Sequence, residues 1–208
     1  GDRIAPMLSA VYDSMPLHFA ADSFPFSKTQ EVSEAGSLRG LGRGTEFHLT
    51  VANGPLLDIT ADDVLVENIR FVCDADLDSG ALIGRPDRTG SGGYSPSSMS
   101  AAVTHSAIRV TGRDAVIRNC WFEGFDNAIY STASNTRVEG CRFSADASSY
   151  LAAIHLTGAS GRVAGCYVDT TAYGVYLHDA AHNTEVTGNA LVATETGLFV
   201  DASYCRLH

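Results

Sequence analysis

Lysine is almost missing from this chain: Lys28 is the only one in 208 residues. Fourteen basic residues stand against 24 acidic ones, leaving a formal charge of −10. Such a chain repels nucleic-acid backbones and anionic membrane surfaces unless it carries a local basic patch. The arginines, among them Arg39, Arg43, Arg70, Arg85, Arg88, Arg109 and Arg118, are scattered along the sequence. Nucleic acid is therefore not an expected partner. Cysteine is sparse and odd in number, five residues with no CxxC pair, which argues against a disulfide framework and against a zinc site. No apolar run approaches the roughly 18 residues of a membrane span, so no membrane insertion is expected. The chain begins at Gly1 with no basic-then-apolar leader in view.

What is present is repetition. Five segments align under one another: Ala107-Ile108-Arg109-Val110, Ala128-Ile129-Tyr130-Ser131, Ala153-Ile154-His155-Leu156, Gly174-Val175-Tyr176-Leu177 and Gly197-Leu198-Phe199-Val200. Their central apolar residues are 21, 25, 21 and 23 positions apart. Each of the first four is followed, nine to eleven residues on, by Ile117, Val138, Val163 or Val186 and a second short strand. An earlier copy runs from Leu57 through Val66 to Phe71. Short alternating runs at this period suit one coil of a β-solenoid. A leucine-rich repeat would need its Leu signature and a helical segment per unit, and neither is seen. The spacing predicts an all-β, right-handed parallel β-helix of about seven rungs. Alternation puts Ile108 and Val110 inside and Arg109 outside. Cys120, Cys141 and Cys166, followed by Asn189, share one place in successive rungs and read as an inward ladder of small packing residues.

Residues 1–35 read as a cap and lead-in, and 36–208 as the solenoid. Ile4, Met7, Leu8, Val11 and Met15 fall at helical spacing, which predicts a capping helix over 3–15. The segment from Gly36 to Phe47 is expected to open the first coil. The chain stops at His208 midway through a rung, which predicts a longer parent chain or a partner over that end. A loop insertion spans about 74–105, and from it Tyr94 or Arg88 is placed to reach a ligand. Asp74, Asp76 and Asp78 form an alternating carboxylate run, a candidate Ca²⁺ site. Ser79 and Arg85 stand where the EF-hand pattern wants glycine and glutamate, and a solvated acidic turn is the alternative.

The rungs from Leu57 onward resemble the pectate-lyase-like superfamily of right-handed parallel β-helices. Tyr173 to His178 and Val186 to Asn189 look like the repeats of carbohydrate-binding and sugar-hydrolase members. Ser37-Leu38-Arg39-Gly40-Leu41-Gly42-Arg43-Gly44-Thr45 is similar to the opening coil of phage tailspikes. The resemblance is specific for fold and weak for activity. It implies a polysaccharide partner, an extracellular or virion-associated site of action, and assembly as a homotrimer or as part of a larger chain.

The outward positions of the first strand in each rung run Asp58, Arg109, Tyr130, His155, Tyr176, Phe199. Aromatic faces stack on the C–H faces of sugar rings while polar groups hold hydroxyls, so this column is a candidate glycan track. Aromatics also favour sheet surfaces through stacking alone, which is the competing reading. Glycoside hydrolysis asks for two carboxylates at about 5–5.5 Å or 6.5–9.5 Å. Asp126 precedes the strand Ala128-Ile129-Tyr130, where polygalacturonases carry an aspartate pair, but the second member here is Asn127. Glu195 holds the matching place about 14 Å further along, too far to pair with Asp126. Proton abstraction of the lyase or epimerase kind would use Arg109, Tyr130 or His155 instead. The reading is a glycan-recognising, potentially depolymerising β-helix. The alternatives are a non-enzymatic structural or adhesive spike and a uronate epimerase-like enzyme.

Overall fold

A computed structural model describes residues 16–50, 54–73, 106–125, 127–144, 152–170, 173–193 and 196–208. Three parallel sheets wind into one right-handed β-solenoid, one sheet of eight strands and two of seven. In chain order each coil contributes a strand to the first sheet, then the second, then the third. For one coil these are Val116–Arg118, Trp121–Glu123 and Asn127–Ser131. Every pairing is parallel and joins a strand to its counterpart one coil away, as in Ile108, Ile129, Ile154, Val175 and Leu198.

Period-2 alternation sends one set of side chains into the bore. From the first sheet come Leu38, Val66, Ile117, Val138 and Val163; from the third come Leu57, Ile108, Ile129 and Ile154, all buried. The second sheet contributes phenylalanines. Phe71, Phe122 and Phe143 stack nearly face to face at 5.1 and 4.9 Å, because register places like on like. The cysteine ladder is as expected: Cys120, Cys141 and Cys166 are free and buried. Their thiols donate to carbonyls of the preceding rung, Val66, Ile117 and Val138. Asn189 ends the ladder, accepting from the Cys166 amide at 2.8 Å and donating to the Val163 carbonyl at 3.0 Å.

The corner between the first and second sheets is held by one left-handed residue per coil: Asn68, Asn119, Gly140, Gly165 and Gly188, with φ between 52° and 62°. Only Gly and, at modest cost, Asn reach this conformation routinely.

The solenoid starts earlier than the sequence reading placed it. Leu17–His18, Asp22–Phe26 and Gln30–Val32 already pair in register with the next coil, so Gly36 opens the second coil and residues 17–32 are wall, not lead-in. Their short strands and Pro25 hid them, since Phe24 and Phe26 alternate over only one step. The expected capping helix at 3–15 and the insertion at 74–105 lie outside the described residues. Among the described residues, no helix is long and apolar enough to cross a membrane.

Candidate functional site

The outer face of the third sheet carries the column expected from the sequence. Register aligns Glu31, Asp58, Arg109, Tyr130, His155, Tyr176 and Phe199 on successive strands. Strands in a sheet lie about 4.8 Å apart, so the seven positions run nearly 30 Å along the solenoid. Glu31 is the member that sequence reasoning missed. The only signal was its place between the apolar-facing Gln30 and Val32, in a coil too irregular to align.

The column has three different stretches. At its start Asp58 is buried and receives Arg109 in a two-pronged contact: Nε donates to Oδ1 at 2.8 Å, and Nη2 to Oδ2. The carboxylate beside it raises the Arg109 pKa, so this guanidinium stays charged and anchors rather than abstracts protons. In the middle the rings interlock. His155 sits edge-on to Tyr130 at 5.0 Å and to Tyr176 at 4.9 Å, with His178 at 6.2 Å. Tyr176 then stacks on Phe199 at 4.9 Å, and Tyr173 lies edge-on to both.

Outward-facing does not mean wet. Tyr130 is 9% exposed, Tyr176 2% and His155 1%, whereas Phe199 is 36% exposed. Neither ring nitrogen of His155 has a hydrogen-bond partner among the described residues. Burial, with a smaller push from His178, lowers its pKa to about 3, so the ring is neutral with a bare lone pair. Burial also pushes the Tyr130 and Tyr176 phenols up, which keeps them protonated. Of the three proton-abstraction candidates, only His155 carries a basic nitrogen lone pair at neutral pH, and it is a weak base shut away from solvent.

Asp126, Glu195, Tyr94 and the candidate calcium ligands Asp74, Asp76 and Asp78 all lie outside the described residues. Within the described residues, no group of three or more His, Cys, Asp or Glu side chains is placed to hold a metal ion.

Coiled parallel sheets with inward ladders and an outward ring column define a parallel β-helix protein. Residues 97–207, just over half of the chain, match the family model for the right-handed β-helix region, and the chain belongs to that family. A search of curated proteins found no match. Among solved structures the chain is similar to the catalytic domain of a GH87 α-1,3-glucanase in complex with nigerose. That likeness has a TM-score of 0.60 and 10% identity, covering 98% of this chain and 42% of that one. It is also similar to the Agl-KA catalytic domain, at a TM-score of 0.55 and 13% identity over 92% of this chain and 38% of the other. At such identities the likeness is one of fold, and this chain spans about two fifths of the structures it resembles.

Proposed function

We propose that this chain is a glycan-recognising β-helix module whose ligand lies along the outer face of the third sheet. The observation that carries the reading is the column itself: an anchored Asp58–Arg109 pair followed by four rings at rung spacing on one face. A linear polysaccharide is the ligand whose repeat such a column suits, with ring faces for C–H surfaces and an arginine for hydroxyls or carboxylates. The solved catalytic domain bound to nigerose has the same fold, which supports the choice of ligand class. A polymer ligand places the module outside the cell or on a virion. Depolymerisation is a further step, and it would rest on Asp126 or on His155.

A second reading, a structural or adhesive spike domain, is favoured by the burial of Tyr130, His155 and Tyr176. Rings already closed to solvent within one chain serve a packed interior better than an open groove. In the first reading a glycan engages the exposed Phe199 and the part-exposed Arg109.

A glycan array separates the two, run on wild type beside Tyr130→Ala, His155→Ala and the surface variant Phe199→Ala, with bound oligosaccharides recovered and sized. Weaker binding in Phe199→Ala and in both ring variants supports the column, and shortened products make it an enzyme. Absence of binding by folded protein to every glycan, with a trimer in sedimentation, moves the assignment to the spike.

A further inference from the structure

The first sheet has its own outer face, and its charges are sorted in a way the third sheet's are not. Two columns run along it. In one, Glu67 bridges Arg39 at 3.0 Å and Arg118 at 2.6 Å, so positive and negative groups neutralise each other. The other runs Arg137, Arg162, Glu185 and Arg206 on four successive strands. Arg162 is held between Glu139 at 3.2 Å and Glu185 at 3.6 Å. Arg137 and Arg206 are exposed and make no ion pair among the described residues. A polar groove lies between them, lined also by Asn183 and Tyr204. On a chain of net charge −10, Glu139 and Glu185 both pair with Arg162, so the uncompensated positive charge of this groove is that of Arg137 and Arg206.

Tyr204 supplies an independent observation. The corner after the third sheet has one left-handed residue in each coil: Asp63, Asp114, Asn135, Ser160, Asn183 and then Tyr204, with φ of 61°. Asp, Asn and Ser tolerate this conformation through local hydrogen bonds, whereas a bulky aromatic there is an outlier. The strained ring is 84% exposed and lines the arginine groove, so the strain is not repaid by burial. Strained residues of this kind collect at binding sites.

We propose that this groove binds an acidic oligosaccharide, one bearing carboxylate or sulfate groups, at a site separate from the ring column. Guanidinium forks match carboxylate and sulfate oxygens, and an exposed tyrosine ring offers a face to the sugar between them. Arg137 and Arg206 stand three rungs apart, about 14 Å, so a chain of several sugars spans them and a single sugar does not. This inference rests on the glycan reading for its ligand class, but on none of the residues of the column.

The test is binding of a carboxylated and a sulfated hexasaccharide, each beside its neutral counterpart and beside inorganic sulfate, measured by calorimetry. At least one acidic hexasaccharide is expected to bind tenfold or more tighter than its neutral form, with affinity falling as salt rises. Arg137→Gln with Arg206→Gln is expected to lose tenfold or more. Tyr204→Asn is expected to weaken binding severalfold while melting no lower than wild type, since the preceding coils carry Asp, Asn or Ser at that corner. Equal binding of acidic and neutral forms, or an arginine double variant that binds like wild type, overturns the proposal. Inorganic sulfate binding as tightly as the hexasaccharide overturns the saccharide assignment. Loss of neutral-glycan binding in Phe199→Ala reports on the column alone, so either site can fail without the other.

Discussion

His155 is an imidazole taken out of water without a hydrogen-bond partner for either nitrogen among the described residues. An unsatisfied buried polar group costs about 1–3 kcal/mol, against which each ring contact returns about 0.5–1.5 kcal/mol. Protonation would cost far more, and so the folded pKa lies near 3 against an ordinary value of 6.5. The unfolded chain therefore takes up a proton that the folded one refuses. This residue's contribution is whole above about pH 6.5 and is lost as pH falls toward 3. Within that window wild type is expected to lose stability at up to about 1.4 kcal/mol per pH unit relative to His155→Phe. Urea denaturation of both proteins from pH 7.5 to 4 measures it, and parallel curves would show that His155 titrates freely. At neutral pH the phenylalanine variant is expected to be as stable as wild type or more so. Arg109→Gln behaves in the opposite way, because it strands the buried Asp58 carboxylate, and a loss of about 1–3 kcal/mol is expected by the same denaturation.

At the scale of the element, the coil corners set the tolerances. After the third-sheet strand Ala152–Leu156 the chain turns at Gly158, where an added Cβ would lie 1.9 Å from the carbonyl oxygen of Ala133 one coil below. The obstacle is backbone, so no side chain can move aside. Gly158→Ala is expected to cost more than about 3 kcal/mol, or to prevent folding, as read from melting temperature and soluble yield. Gly165→Ala meets nothing within 4 Å and carries only the left-handed strain, so about 1 kcal/mol is expected. The cysteine ladder behaves as an element too. Burial raises the Cys141 thiol well above its ordinary pKa, so little thiolate forms. Brief alkylation of native protein is expected to label Cys73 and Cys205, which are partly exposed, and to spare Cys120, Cys141 and Cys166. Mass spectrometry of the digested protein gives the answer, and prompt labelling of Cys141 would mean that the ladder opens.

Across the whole molecule stability is a sum of coil-on-coil contacts, since each coil touches only its neighbours. A truncation in the middle disturbs two such contacts at once. Ile129→Ala, fully buried between Ile108 and Ile154, is expected to cost about 2–5 kcal/mol. Leu198→Ala, partly buried, is expected to cost less than Ile129→Ala in the same denaturation series. Most strands wait for a partner some two dozen residues away, and Leu57–Ile59 pairs with a strand 51 residues on, so loop closure must precede any stabilising pair. Refolding from urea is expected to take seconds or longer, and submillisecond recovery of the circular-dichroism signal would contradict that picture.

The repeat by itself determined the fold class, the inward ladders and the order of the ring column. A parallel solenoid converts equal sequence spacing directly into vertical alignment, so Ile108, Ile129 and Ile154 could be stacked on paper. Coils with irregular spacing did not yield to the same step, which is why residues 17–32 and Glu31 were missed. Tertiary structure alone decided three things. It closed Tyr130, His155 and Tyr176 to solvent, because burial of an outward residue depends on what packs over the sheet and not on alternation. It tied Asp58 to Arg109 across a coil. And it gathered Arg137, Arg162 and Arg206, scattered in an acidic sequence, into one groove beside a strained tyrosine, because charge adds up in space and not along the chain.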